Sequence, residues 1–169
     1  MYFSDQAIAE LKSQPRDQAQ RVYAQVWESG EDAAIAELGQ RDRFFLLVWL
    51  LHRQDADRDW IYARCREVEA EPDGYVDVWA RLHYKSSIIT LAGAIQEILN
   101  NPEITIGIFS HTRPQAKKFL GQIAMELQTN GDLKRVYPDI LYQHPKRESP
   151  RWGLDRGIVV KRTGNPKEA

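Results

Sequence analysis

The second half of the chain alternates short β-branched runs with longer amphipathic stretches, an order that few folds accommodate. Residues 75–79 and 104–109 are rich in valine, isoleucine and aromatic residues, which favour strands, and the second run is apolar almost throughout, as strands buried on both faces are. Residues 86–100 and 114–127 instead repeat their apolar side chains at helical spacing. A further short strand is predicted at residues 158–160. Strand, loop, helix, strand and helix in this order indicate a parallel sheet with right-handed crossovers.

The first 73 residues follow a helical pattern, with apolar side chains three and four positions apart in several short stretches. Ser4 and Asp5 are suited to cap the first helix, because their side chains accept hydrogen bonds from free amide groups. Acidic residues, proline and glycine at residues 69–74 indicate a turn. We therefore predict an α/β fold with a helical N-terminal region, residues 1–73, and a second domain, residues 74–169, that holds the parallel sheet and its flanking helices.

The net charge of −1 hides an asymmetry between these two predicted regions. The first 73 residues carry 9 Lys/Arg against 15 Asp/Glu, and residues 74–169 carry 14 against 9. A basic second half is compatible with an anionic partner such as nucleotide phosphate or DNA. The longest apolar run, residues 44–51, is too short to cross a bilayer. The lone Cys65 excludes an internal disulfide and is expected to be buried, so we expect a cytoplasmic protein.

A lysine and a serine, Lys85 and Ser86, stand where the first predicted loop enters its helix. Free amide groups and the helix dipole attract an anion there, a lysine adds a positive charge, and a serine hydroxyl is a ligand for Mg²⁺. This placement is typical of the end of a Walker A phosphate loop, although Trp79 and Tyr84 occupy the positions of its two glycines. The pattern uses glycine because the backbone takes up unusual dihedral angles close to phosphate.

The segment around this loop resembles the large subunit of phage terminases, the ATP-driven motors that package viral DNA. That family has a variant loop with an arginine four residues before the Walker lysine, as Arg81 stands before Lys85. Residues 77–90 are similar to the Arg-x-His-x-Lys-Ser loops of one branch. Residues 102–112, which end in Ser-His-Thr, and the next helix, with the pattern Ala-x-x-Phe-Leu, continue the likeness. It extends in register from about residue 40 to the last residue.

The resemblance implies an incomplete P-loop NTPase domain of the RecA-like type after the helical region, with ATP and Mg²⁺ as cofactors. It assigns Arg81 as a catalytic arginine on the developing charge of the γ-phosphate, and Ser86 as the Mg²⁺ ligand with Ser87 as a neighbouring alternative. His83 either lines the phosphate pocket or braces the loop. The aromatic residues at positions 44–60 either help to form an adenine pocket or pack in the core. The nucleotide-binding residues implied together are Arg81, His83, Tyr84, Lys85, Ser86 and Ser87.

The family also implies double-stranded phage DNA, the terminase small subunit and the portal as partners, and no membrane. Such a motor needs a hydrophobic strand that ends in paired carboxylates, and a nuclease domain with a two-metal site. The apolar runs after Lys85 continue into Ser110-His111 and Lys161-Arg162, without a carboxylate. We therefore expect a fragment that stops before the Walker B strand and the nuclease domain, and that is not a competent motor alone.

Two other interpretations remain open. The chain is an inactive, truncated prophage remnant without catalysis, or it is a nucleic-acid-binding module that contacts phosphates and stacks bases. Basic and aromatic residues interleave in its last third, as in such a module or in a solvated loop with a few packed aromatics. These residues are Lys134, Arg135, Tyr137, Tyr142, Lys146, Arg147, Arg151, Trp152 and Arg156.

Overall fold

The computed structural model describes residues 2–71, 76, 78–80 and 83–164, and most of these residues lie in helices. Contacts between residues divide the chain into two compact units, Met1–Ala92 and Gly93–Ala169. The division into predicted domains at residue 73 stays a prediction. Each helix in the described ranges is too short or too polar to span a bilayer.

The first unit confirms the predicted helical pattern of the N-terminal region. The cap predicted at Ser4 is present, because its side chain accepts a hydrogen bond from the amide of Ala7. A π-helical turn, Leu46–Leu50, follows α4, and a 3₁₀ turn, Gln54–Ala56, precedes α5. The α-helices are α1 (Asp5–Ser13), α2 (Arg16–Ser29), α3 (Asp32–Arg41), α4 (Arg43–Phe45) and α5 (Asp59–Ala70).

Aromatic rings form the centre of this first unit. Phe44 and Phe45 are fully buried, and the ring of Tyr23 packs against both, with centroids 6.4 and 5.4 Å away. Tyr62 of α5 meets Phe44 edge to face at 5.0 Å, an arrangement that aromatic pairs favour. Of the two interpretations of the aromatic residues at positions 44–60, core packing describes these two phenylalanines.

A buried ion-pair network lies beside the aromatic core. Asp42, which is fully buried, accepts hydrogen bonds from Arg66 Nη2 at 2.6 Å and from the Tyr23 hydroxyl at 2.7 Å. It also caps α4 through the amide of Phe45. Glu69 accepts from Arg66 Nη1 at 2.9 Å, so the largely buried guanidinium bridges two carboxylates. Buried charges are tolerated in this way only when partners replace the lost water.

The second unit is built from helices and one short hairpin. Along the chain, its first α-helix directly follows a π-helix, Ser86–Gly93, of which only Gly93 belongs to this unit. Gly157, with φ of 86°, closes the hairpin in a backbone conformation that side chains rarely adopt. The other elements are α6 (Ala94–Asn100), α7 (Arg113–Thr129), α8 (Gly131–Val136), α9 (Pro145–Glu148), β1 (Trp152–Gly153) and β2 (Gly157–Ile158).

The predicted parallel sheet, and with it the P-loop NTPase architecture, is wrong for the described residues. The sheet there has two strands, β1 and β2, and they pair antiparallel. Residues 104–110 lie in neither a helix nor a strand, and Phe109 is 95% exposed. Val76 and Val78 of the predicted first strand are also exposed outside any strand, and residues 75 and 77 lie outside the described residues.

The physical reason for this error lies in what a strand requires. β-branched and aromatic residues favour an extended backbone, but a strand forms only where a second backbone supplies hydrogen bonds and cross-strand contacts. Residues 104–110 have no such partner among the described segments. The strand predicted at residues 158–160 overlaps β2 at Ile158, where the partner is the neighbouring β1 and not a distant parallel strand.

Candidate functional site

The helix predicted after the loop begins where the sequence placed it. The amide of Ile88 donates to the carbonyl of Tyr84 at 2.9 Å, so Lys85, Ser86 and Ser87 form the first turn. The amide groups of a first turn have no acceptor within the helix and are available to an anion. The side chains of Lys85 and Ser86 are exposed, and Ser87 is half-buried. The helix start is therefore confirmed, and its role as a phosphate site stays a prediction.

Tyr84 adopts the backbone conformation for which phosphate loops use glycine. Its φ is 59°, in the left-handed region, where a non-glycine residue costs about 1–2 kcal/mol. Its hydroxyl donates to Asp55 Oδ2, and its ring meets that of Trp60 at 6.2 Å. These contacts hold the strained residue in place. The tyrosine therefore departs from the Walker pattern in its side chain but not in the sign of its φ.

Two residues of α5 support the loop from one side. The ring of Trp60 lies 5.8 Å from that of His83, and the guanidinium carbon of Arg64 lies 4.2 Å from the ring centroid of Trp79. Trp60 and Arg64 are four residues apart, and this spacing places both on the same face of a helix. The contact of His83 with the ring of Trp60 is the kind expected of a residue that braces the loop. His83 also lines the open side of the loop with Lys85.

Sequence reasoning missed Asp55 and Arg64 as parts of this site, and it offered Trp60 only among the aromatic residues at positions 44–60, for an adenine pocket or the core. Their distance from the loop in sequence hides the contacts, because nothing in residues 55–64 indicates which surface they face. The only available signal was the spacing of Trp60 and Arg64 on one helix face, and it does not identify the partner.

The loop encloses an open hollow of about 680 Å³. The described residues that line it carry one ammonium, from Lys85, and hydroxyl groups from Tyr84, Ser86 and Ser87, with no carboxylate. Such a lining is suited to an anion, because it offers positive charge and hydrogen-bond donors without a competing negative charge. Arg81, predicted as the catalytic arginine of this loop, lies outside the described residues.

The predicted Mg²⁺ ligand, Ser86, offers a single hydroxyl oxygen at the helix start. No group of three or more His, Cys, Asp or Glu residues suited to a metal ion occurs within the described ranges. Mg²⁺ usually takes most of its oxygen ligands from phosphate and water and only one or two from protein. The donor set therefore fits Mg²⁺ that arrives with a nucleotide, and it does not fit a resident metal ion.

The interleaved basic and aromatic residues of the last third differ in exposure. Tyr137 is buried, whereas Tyr142 and Trp152 are half-buried, and Trp152 Nε1 donates to Gln128 Oε1 at 3.3 Å. Arg135 pairs with Asp132 in the same helix at 3.1 Å. Stacking of bases requires exposed ring faces, which Tyr137 does not offer.

No family model matches the chain, and neither does any curated protein or solved structure. The interpretation of the loop therefore depends on its own residues, on their geometry and on the physical chemistry of anion binding.

Proposed function

We propose that the loop at residues 79–87 binds the phosphate groups of ATP, as part of the N-terminal ATP-binding region of a terminase large subunit. The observation that supports the proposal is the start of a helix at Lys85-Ser86, directly after a residue with positive φ. Lys85, Ser86 and Ser87 line one open hollow, so that their ammonium and hydroxyl groups lie beside the amide groups of the first helical turn. The parallel sheet is not part of the proposal.

Each group in the loop has a separate task in this proposal. The ammonium of Lys85 neutralises the terminal phosphates, and the amides of the first turn donate hydrogen bonds to them. Bound Mg²⁺ would supply charge neutralisation between neighbouring phosphates, and the Ser86 hydroxyl would hold it with Ser87 as the alternative. His83 and Tyr84 keep the loop against α5 through Trp60. The resemblance alone assigns Arg81 to the γ-phosphate.

The proposal covers binding and does not include turnover by this chain alone. Hydrolysis needs a carboxylate that activates water, and neither apolar run after Lys85 ends in one. In the family to which the proposal refers, the partners are double-stranded DNA, the small subunit and the portal. We place the protein in the cytoplasm of a bacterial host on the same grounds.

Titration of the full chain with a fluorescent ATP analogue tests the proposal. We expect affinity to rise from AMP to ADP to ATP, because each phosphate adds charge at the helix start. Lys85→Ala should weaken ATP binding at least about tenfold, a loss of about 1.4 kcal/mol. The matched control is Lys118→Ala, which removes an exposed lysine from α7.

Equal affinity of the Lys85→Ala and Lys118→Ala variants would overturn the proposal. So would an affinity for ATP no higher than that for AMP, because the phosphates would then not be the recognised group. Binding of DNA that persists in Lys85→Ala, without any binding of nucleotide to the unchanged chain, would favour the nucleic-acid-binding module.

A further inference from the structure

We call residues 104–110 the open segment. Its composition is that of a strand, but most of its backbone groups have no hydrogen-bond partner among the described residues. The amide of Ile104 donates to Asn101, and its carbonyl accepts from Arg162 Nη2 at 2.6 Å. From Thr105 to Ser110, no backbone group forms a hydrogen bond with a described residue. Backbone amide and carbonyl groups that stay unpaired along an apolar run form a template for another strand.

Two apolar side chains of the open segment are exposed to solvent. Ile106 is 39% exposed and Phe109 is 95% exposed. The Phe109 ring folds back so that a β-carbon on Gly107 would lie 2.8 Å from it. Exposed apolar side chains that lie close together mark surface at which a partner can dock.

A cavity of about 330 Å³ opens beside the open segment within the second unit. Its volume is in the range of binding pockets, so it has room for apolar side chains of a bound partner. In a strand, alternate side chains point to the same face, and a bound strand would direct every second side chain into the cavity. Its apolar walls include Ile98, Ala116, Leu120, Ile123, Leu154 and Val160.

The rim of the cavity is positively charged. Among the described residues that line it, Arg113, Lys117, Arg156 and Arg162 stand against a single carboxylate, Asp155. Asp155 is shared, because it pairs with Arg113 at 3.0 Å and also with Lys117. The nearby ammonium of Lys117 lowers the pKa of Asp155, so this carboxylate stays charged. The excess of cations favours an occupant with negative charge.

We propose that the open segment takes up an extended segment of a partner protein as an added β-strand. The unpaired backbone selects an extended peptide, the cavity selects apolar residues at alternate positions, and the cationic rim selects acidic residues at one end. A second copy of this chain fits less well, because its own open segment would bring the same cations against the rim. This proposal does not depend on nucleotide binding.

The probe is a fluorescein-labelled octapeptide of alternating threonine and valine that ends in two aspartates, titrated by anisotropy into the full chain. We expect binding, together with protection of the amides of residues 105–110 from hydrogen exchange. Two peptides serve as controls. The version that ends in two lysines should bind at least about tenfold more weakly through charge repulsion. The version with every backbone amide N-methylated should lose binding similarly, because it cannot donate strand hydrogen bonds.

A charge reversal in the protein completes the test. Arg156→Glu should weaken the aspartate peptide and strengthen the lysine peptide, whereas Lys118→Glu, on α7 outside the cavity lining, should change neither. Absence of binding, equal binding of the N-methylated peptide, or unprotected amides at residues 105–110 would overturn the proposal. A dimer in sedimentation experiments that buries these amides and excludes the peptide would also overturn it, in favour of a second copy.

Discussion

The two units differ in how they treat the groups that water would otherwise solvate. Among the described residues, Met1–Ala92 contains a fully buried carboxylate, Asp42, which pairs with the largely buried Arg66. The ion pairs described in Gly93–Ala169 instead lie at the surface, as that of Arg113 with Asp155 does. Both units expose large apolar side chains, including Val78 in the first and Phe109 in the second, and Phe109 lies in a backbone segment without hydrogen-bond partners among the described residues. The contrast is therefore between a buried ion pair that stabilises the first unit and an unpaired segment that we propose for docking in the second.

Removal of Asp42 should produce the largest loss of stability. Asp42→Ala leaves the Arg66 guanidinium buried beside only one carboxylate, which costs about 3–5 kcal/mol, and the lost cap of α4 adds about 1 kcal/mol. Urea unfolding measures the change. Asp155→Ala, which breaks exposed pairs in the second unit, is the matched control and should change little.

The double variant Asp42→Leu with Arg66→Met distinguishes an unpaired charge from lost packing. It should recover much of the stability, because apolar residues of similar volume replace a buried ion pair at little cost. If Asp42→Ala were no more destabilising than Asp155→Ala, the contrast between the units would fail.

Truncation of one phenylalanine in each unit compares their packing directly. Phe45→Ala removes a fully buried ring and should cost about 3–5 kcal/mol of unfolding free energy. Phe109→Ala removes a ring that is 95% exposed and should stay within about 0.5 kcal/mol of the unchanged chain. The measurement is again urea unfolding. Equal losses for the two variants would show that Phe109 is packed in solution.

Alkaline pH should weaken the first unit more steeply than the second. Burial raises the pKa of Tyr23, Tyr62 and Cys65 in the first unit, and of Tyr137 in the second. Each group stays protonated in the folded chain above pH 10.0 for tyrosine or 9.0 for cysteine, where the unfolded chain loses the proton. Stability is fully present below those values and falls as pH rises, by about 1.4 kcal/mol per pH unit for each group.

Urea unfolding midpoints between about pH 9 and pH 11 check this prediction. Tryptophan fluorescence of a Trp152→Phe variant reports on the first unit alone, because Trp152 is the one tryptophan in the second unit. Tyr23→Phe should flatten the alkaline slope, and the exposed Tyr2→Phe should not. A slope unchanged by Tyr23→Phe would contradict the assignment.

Two substitutions of Tyr84 should have small effects on nucleotide affinity, and they test the role of the loop in the first unit. Tyr84→Gly keeps the positive φ at no steric cost and should preserve ATP affinity, although the contact with Asp55 is lost. Tyr84→Val places a β-branched residue in the left-handed region and should weaken binding about fivefold, or about 1 kcal/mol. Nucleotide titration separates the two. Weaker binding by the glycine variant would mean that the tyrosine side chain contacts the nucleotide.

Structural features that depend on neighbouring residues were predicted correctly from the sequence in several places. The cap at Ser4 and the helix predicted at residues 114–127, observed as α7, depend on contacts within a few residues. The helix start after Tyr84 is local in the same sense. Periodicity and capping report such contacts directly, because the interacting side chains lie three or four positions apart.

The candidate site was predictable only in its loop. Lys85 and Ser86 were identified from their place before an amphipathic stretch, which is a property of neighbouring residues. The supports from Asp55, Trp60 and Arg64 required the tertiary structure, because these residues contact the loop from 15 to 29 positions away in the sequence. The positive φ of Tyr84 also depends on these contacts, since tyrosine does not favour it on its own.

By itself, the sequence determined where some helices begin, as after Ser4 and after Tyr84, and which short runs prefer an extended backbone. Tertiary structure alone decided whether an extended run becomes a strand. Residues 104–110 have the composition of a buried strand, yet they lie unpaired, because strand hydrogen bonds must come from a second backbone. A helix forms its backbone hydrogen bonds within one segment, whereas a strand forms them with a second segment that lies beside it.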